Sequence, residues 1–269
     1  GETSLKLMHD PQLSGWKIGD RIVVGPTGDR STGQAQAFYV TGFGPFNKVH
    51  VDRPALPLKV VGDGVSIEPA FVATFENIPL PGKAASLRSA EVIDMTRNVI
   101  ITGDDFRHIP CDPTLGQGAS SMDGCRCSGE RSQCTIGLHT IHMFKGVQTI
   151  KHARVEKCGQ RGILGKYCMH FHLNGDCPAC VIEGNAIEFG QQRAIVAHGV
   201  HRSLITFNVI NDVRGAAIYV EDGNEMYNVL SFNIIICPWA NNDNTKRGCS
   251  VPGTPNGQAD TALNQVAIW

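Results

Sequence analysis

Three short runs share one alternation of apolar and polar positions: Met169-His170-Phe171-His172, Ile195-Val196-Ala197-His198 and Ile218-Tyr219-Val220-Glu221. They recur after 26 and 23 residues, and each leads into a glycine-containing turn. A period in the twenties, built from β-type runs, predicts a β-solenoid in which every coil stacks on the one before. Equivalent positions of neighbouring coils then lie about 4.8 Å apart, one strand spacing. Alternation along each strand sorts the faces. Met169, Ile195 and Ile218 point into the core, as do Phe171, Ala197 and Val220. His172, His198 and Glu221 form an outward column, with His170, Val196 and Tyr219 beside it.

A second register runs in phase with the first. Val181-Ile182-Glu183-Gly184-Asn185-Ala186-Ile187 resembles Leu204-Ile205-Thr206-Phe207-Asn208-Val209-Ile210, and both resemble Val229-Leu230-Ser231-Phe232-Asn233-Ile234-Ile235. Asn185, Asn208 and Asn233 are therefore expected to stack at one corner, each amide serving its neighbour's backbone. An earlier coil through Val155 fits less well, since Ala153 sits in the asparagine slot and Gly165–Cys168 reads as an insertion. An antiparallel sandwich also uses short strands and glycine-rich turns. It gives no reason for the asparagines and histidines to recur in phase.

Elsewhere the pattern is less regular. Residues 1–103 read as short strands between turns, among them Arg21-Ile22-Val23-Val24, Phe38-Tyr39-Val40-Thr41 and Val99-Ile100-Ile101. Residues 104–134 lack periodicity and read as a cysteine-rich inserted loop. Residues 135–269 read as the coils; Val266-Ala267-Ile268-Trp269 looks like one more strand, so the chain is expected to stop within the fold. The fold predicted is all-β: a right-handed parallel β-helix, a β-solenoid with a cysteine-rich inserted loop.

Composition narrows the setting. Thirty glycines and 14 prolines in 269 residues suit an all-β chain. A formal net charge of −1 offers no global field to select nucleic acid, so no nucleic-acid partner is expected. Arg193, Arg202 and Arg214 could supply a local basic patch. No apolar run reaches the roughly 18 residues of a membrane span. The chain opens on Gly1 and is read as a mature or excised fragment.

Ten cysteines point to an oxidising compartment, extracellular or at the cell surface. Cys111, Cys125, Cys127 and Cys134 crowd a stretch with too little apolar surface to hold itself together, and Cys237 and Cys249 could tie a later loop. Disulfides are the favoured reading. The competing one is zinc, because Cys177-Pro178-Ala179-Cys180 has the C-x-x-C spacing.

These residues carry a resemblance. Gly15-Trp16, Gly19-Asp20, Ile22-Val23-Val24 and Thr27-Gly28 look like a glycine-rich domain of eight conserved glycines found in cell-surface proteins, and Glu91 to Gly103 looks like its end. Gly165-Lys166-Tyr167, His170-Phe171-His172-Leu173 and Gly175-Asp176 resemble the start of the adjoining parallel β-helix repeats. Glu221-Asp222-Gly223, Glu225 and Asn228 resemble later ones. The family so resembled includes hyaluronan-binding and cell-surface hyaluronidase proteins and fibrocystin-like receptors. Cys168 stands where that family usually has proline, and Met169 where it has isoleucine. The resemblance implies an extracellular setting and a link to hyaluronan in some members, while others have no settled catalysis. Fold resemblance alone does not choose.

Four uses suit the outward column. His170, His172 and His198 could ligate a divalent metal, zinc or a similar ion, with Glu221 as base or as a hydrogen-bond partner of a ligating imidazole. Glu221 or Asp222 could work with His172 as acid and base on a glycosidic bond. Tyr219, Arg193 and His201 could line a groove that only binds polysaccharide. The column could also be a hydrogen-bonded stack with a structural role. His139 could reach the same face from the coil below; His142 and His152 read as ordinary strand histidines, and Asp104-Asp105 as a calcium site or, more simply, a solvated pair. The reading adopted is an extracellular polysaccharide-binding β-helix that cleaves, or only binds, a hyaluronan-like glycosaminoglycan. The alternative is a non-catalytic structural or adhesion module that partners other chains of an extracellular assembly.

Overall fold

The computed structural model describes residues 3–25, 35–54, 90–103, 137–160, 164–190, 192–213, 215–236 and 267–269, with four more short strands between 57 and 88 described as backbone. The chain divides into two compact units between Thr96 and Arg97. In the first, β1 (Ser4–Lys6), β2 (Arg21–Val24), β3 (Gln36–Gly44), β4 (Lys48–Val51) and, further along, β9 (Val92–Asp94) make one antiparallel sheet in the order β1-β4-β3-β2-β9. Its core is the inward set of a period-two alternation: Val49 and Val51 are buried while Lys48 and His50 are exposed. They pack with Leu5, Ile22, Val24, Phe38 and Val40. Between β4 and β9 lie two antiparallel pairs, β5 (Pro57–Val60) with β6 (Ile67–Pro69) and β7 (Glu76–Ile78) with β8 (Ser86–Arg88).

The second unit is the solenoid. Three parallel sheets run through it. One stacks β10 (Val99–Thr102), β13 (Ala153–Cys158), β16 (Ala186–Gly190), β19 (Val209–Val213) and β22 (Ile234–Ile236). A second stacks β11 (His142–Met143), β14 (Met169–Asp176), β17 (Ile195–His201) and β20 (Ile218–Val220). The third stacks β12 (Thr149–Lys151), β15 (Val181–Glu183), β18 (Leu204–Thr206) and β21 (Val229–Ser231). All the pairing within these sheets is parallel, so the sandwich alternative falls. Ile268 bridges Ile218 in parallel, and the N–H of Ile218 reaches the Ala267 carbonyl at 3.0 Å, so 267–269 begins a further rung. The sequence reading placed Val99-Ile100-Ile101 with the first region; by its pairing with β13 this strand is a rung of the solenoid.

Register explains the core. Ile101, Val155, Ile187, Ile210 and Ile235 align in one column, and Ile150, Ile182, Ile205 and Leu230 in another. Met169, Ile195 and Ile218 form a third, and all three columns meet in one apolar cluster. Burying a side chain of this size stabilises by roughly 1.5–3 kcal/mol. A one-residue slip would turn every column outward, which fixes the register.

The corner between the third and first sheets is built by asparagines. Asn185 Oδ1 accepts the Ala153 N–H at 2.9 Å, and Asn185 Nδ2 donates to the Ile150 carbonyl at 2.9 Å. Asn208 repeats the arrangement one coil on, accepting the Asn185 N–H and donating to Ile182, and Asn233 repeats it again toward Asn208 and Ile205. The residue before each asparagine takes a left-handed bend: Gly184 at φ 67°, Phe207 at 55° and Phe232 at 53°, with His152 at 53° in the coil without asparagine. Phe207 and Phe232 stack at 4.9 Å, ring planes 8° apart.

All four described cysteines are bonded. Cys158 joins Cys168, and Cys177 joins Cys180, so the C-x-x-C closes a turn and leaves no thiolate for zinc. Cys111, Cys125, Cys127, Cys134, Cys237 and Cys249 lie outside the described residues, as do Asp104-Asp105, Arg214 and the whole 104–134 insertion.

Candidate functional site

The site rises from the outer face of the β11-β14-β17-β20 sheet. In register, His172 lies opposite His198, and His170 opposite Val196, which in turn faces Tyr219. The strand alternation that drives Phe171 and Ala197 inward puts these side chains outside the core. Outside does not mean exposed here. His170 is 1 % accessible and Val196 fully buried, against the expectation of an open face. The cause is the stretch that reads as an insertion: Tyr167, itself fully buried, packs its ring 4.8 Å from that of His170.

Arg193 is the second cover. It is 2 % accessible, lies 4.2 Å over the Tyr219 ring and 5.2 Å over the Tyr167 ring, and donates to the Tyr167 hydroxyl at 3.2 Å. It is thus a buried cation held by aromatic faces, not part of the solvated patch the sequence allowed. Tyr219 shares it. Arg202 is engaged elsewhere, pairing with Asp176 at 3.3 Å. His201 also stands apart: it aligns with Asp176, and its Nδ1 accepts the Met226 N–H at 2.9 Å. His139 sits 3.0 Å from the Lys166 ammonium, and His142 aligns with Phe171 rather than with the column.

Three imidazoles remain together. One ring nitrogen each from His170, His172 and His198 lies within 4.8 Å of the others. The His172 ring is 4.9 Å from His170 and 4.6 Å from His198, both edge-on, and His170 and His198 are stacked at 6.2 Å. The Nδ1 of His170 lies 3.2 Å from the Gly165 carbonyl, so it carries the proton and the lone pair falls to Nε2. That Nε2 is buried with no hydrogen-bond partner, and so is Nδ1 of His172. Burial pushes the His170 imidazole down to about 3; the Gly165 carbonyl opposes this, and His172, His198 and Arg193 add to it. His172 is also lowered, first by burial and then by His198, with Asp222 opposing.

The acidic pair completes the site. Asp222 Oδ2 lies 3.1 Å from His198 Nε2, and Glu221 Oε2 lies 3.6 Å from His198 Nδ1. Tyr167 reaches Glu221 Oε1 at 3.4 Å. Asp222 is the more open carboxylate, its side chain 45 % accessible against 19 % for Glu221. Glu225 holds the turn in place, accepting the N–H groups of Gly199 at 2.9 Å and Asp222 at 3.2 Å. Burial raises its pKa, but those bonds and the N–H groups of Gly223 and Glu225 itself bring it below the ordinary range. Tyr167 and Glu225 escaped the sequence reading as site residues. Both lie in strings that carry the resemblance, but in segments without period.

Imidazoles and carboxylates on the side of a parallel β-helix define the class: a solenoid with a polar site built across successive coils. Residues 135–266 match the family model described as the CEMIP β-helix, so this solenoid segment belongs to that family. The chain is 27 % identical to human Fibrocystin-L over 82 % of its length and 28 % identical to the human cell surface hyaluronidase CEMIP2 over 96 %. A G8 domain-containing protein of Dictyostelium discoideum is 32 % identical over 54 % of the chain. The chain spans only 5 %, 16 % and 10 % of these relatives respectively.

Proposed function

We propose that this chain is an extracellular glycan-binding β-helix domain that engages a hyaluronan-like glycosaminoglycan over the His172, His198, Glu221 and Asp222 column. The observation that carries the reading is the juxtaposition of three imidazoles and two carboxylates on one outer sheet face. The name of the hyaluronidase relative supports the polymer class. The paired cysteines and the family support the extracellular setting. No helix among the described residues is long and apolar enough to cross a membrane.

The same column suits glycosidic cleavage. His198 stands between two carboxylates, with Asp222 the one open to a ligand. In this reading Asp222 gives a proton to the glycosidic oxygen as its bond to the anomeric carbon breaks, and water adds to that carbon. The proton the water loses returns to Asp222 through His198, and Glu221 holds the imidazole in orientation. Tyr219, one ring face held by the buried Arg193, meets the sugar. Binding of size-defined hyaluronan, chondroitin and heparan chains to the purified chain, followed by chain-length analysis, tests both levels. Retention of one polymer with shortening supports cleavage, and retention without shortening supports a lectin. Failure to retain any of them leaves the adhesion module.

A further inference from the structure

We propose that His170, His172 and His198 bind a first-row transition-metal dication of the zinc class. Convergence is the first observation: three ring nitrogens within 4.8 Å need only small side-chain rotations to reach one ion. The second is independent of it. His170 is 1 % accessible, and its Nε2 has no hydrogen-bond partner. A buried polar atom left unsatisfied costs on the order of 1–3 kcal/mol. Buried imidazole nitrogens normally find a donor, and the one at His170 faces none.

The other nitrogen explains how the ring is prepared. Nδ1 of His170 holds the Gly165 carbonyl at 3.2 Å, which is the usual outer bond of a metal-bound histidine and sets Nε2 as the ligand atom. His172 offers a second buried nitrogen with no partner, Nδ1. The carboxylates flank His198, at 3.1 and 3.6 Å from its two nitrogens. Whichever nitrogen His198 gives the ion, the other keeps an acidic partner. Glu221 and Asp222 thereby supply the outer layer such sites use.

Ligand chemistry names the ion class. Three imidazoles suit zinc, copper, nickel or cobalt, whereas calcium takes six to eight oxygens and finds too few here. The geometry of this column therefore suits zinc, as the sequence reading had it. Three protein ligands leave a position open for water or a sugar oxygen. His172 and His198 are partly accessible and give the ion its way in, while His170 closes the floor.

The inference does not depend on the glycan reading, because metal binding is measured without glycan. The full chain is stripped with chelator, dialysed and titrated with zinc by calorimetry and with cobalt(II) by visible absorption. One equivalent of zinc is expected, with cobalt bands of a nitrogen-rich low-coordinate site, and excess calcium should not displace either. His172→Ala and His198→Ala, each checked for native circular dichroism, should weaken zinc by roughly tenfold or more. His170→Gln keeps a polar group at the floor and should remove the cobalt spectrum. Absence of stoichiometric binding overturns the proposal. So does zinc binding that is unchanged in both alanine variants, since that places the ion elsewhere.

Discussion

Asn208 shows how much one side chain carries in this fold. Its Oδ1 accepts the Asn185 N–H at 3.0 Å, and its Nδ2 donates to the Ile182 carbonyl at 3.0 Å and to Asn233 Oδ1 at 3.0 Å. Truncation to alanine strands a backbone donor and a backbone acceptor at a buried corner. Each stranded group costs about 1–3 kcal/mol, so Asn208→Ala should lose on the order of 2–4 kcal/mol in urea unfolding. Asn233→Ala should lose less, because Asn233 is only partly buried. His170 sets a second residue-scale expectation. Its imidazole is lowered to about 3, against an ordinary value near 6.5 in the unfolded chain. Between these values the unfolded chain binds a proton that the folded one does not, so stability falls as pH falls through this window. The slope is about 1.4 kcal/mol per pH unit for one such group. Glu225 adds its loss only lower, below the ordinary carboxylate value, because its folded pKa is depressed. Metal-free protein should thus weaken from near pH 6 downward, and His170→Gln should flatten that part of the profile. The asparagines were legible because they recur in phase. The burial of His170 was not, because Tyr167 and Arg193, which cover it, sit where the repeat is interrupted.

At the scale of elements, the bends decide more than the strands. Strand pairing followed directly from the apolar columns, and the alignment of Val181, Leu204 and Val229 is the one the sequence suggested. What alternation could not supply is the bend between sheets. His152, Gly184, Phe207 and Phe232 all take φ between 53° and 67° at the same place in successive coils. Non-glycine residues pay roughly 1–2 kcal/mol for that conformation, and the two phenylalanines offset it by stacking, worth about 0.5–1.5 kcal/mol. Gly184 has no such compensation and no room. A Cβ there would stand 2.4 Å from His152 Nδ1. Gly184→Ala therefore adds a steric clash to the conformational cost and should destabilise by about 1–3 kcal/mol. Phe207→Gly exchanges stacking for relief of strain and should fall within about 1 kcal/mol of neutral. Thermal melts of the two variants check the contrast; equal losses would mean that the corner geometry is not what limits it.

At the scale of the molecule, the solenoid lets one strand carry chemistry without carrying the fold. Each coil rests on its neighbours through its inward columns, and His172 belongs to none of them. Its ring lies 4.9 Å from that of His170 and 4.6 Å from that of His198 on the outer face, and its Nδ1 is unpartnered. His172→Ala removes an unsatisfied buried atom along with some packing, so its net effect on metal-free stability should stay within about 1 kcal/mol. Function should respond differently. Glycosaminoglycans are anionic, and Glu221 and Asp222 repel them unless imidazoles, or a cation held by them, intervene. His172→Ala should therefore abolish polymer retention in a protein that melts as before. Asp222→Asn separates binding from cleavage. It removes one repelling charge, so retention should hold or rise, while shortening of the polymer should stop if Asp222 moves the proton. Measuring retention and chain length on the same samples reads both effects. Full retention by a folded His172→Ala protein would take the glycan off this face and leave the column as a structural stack.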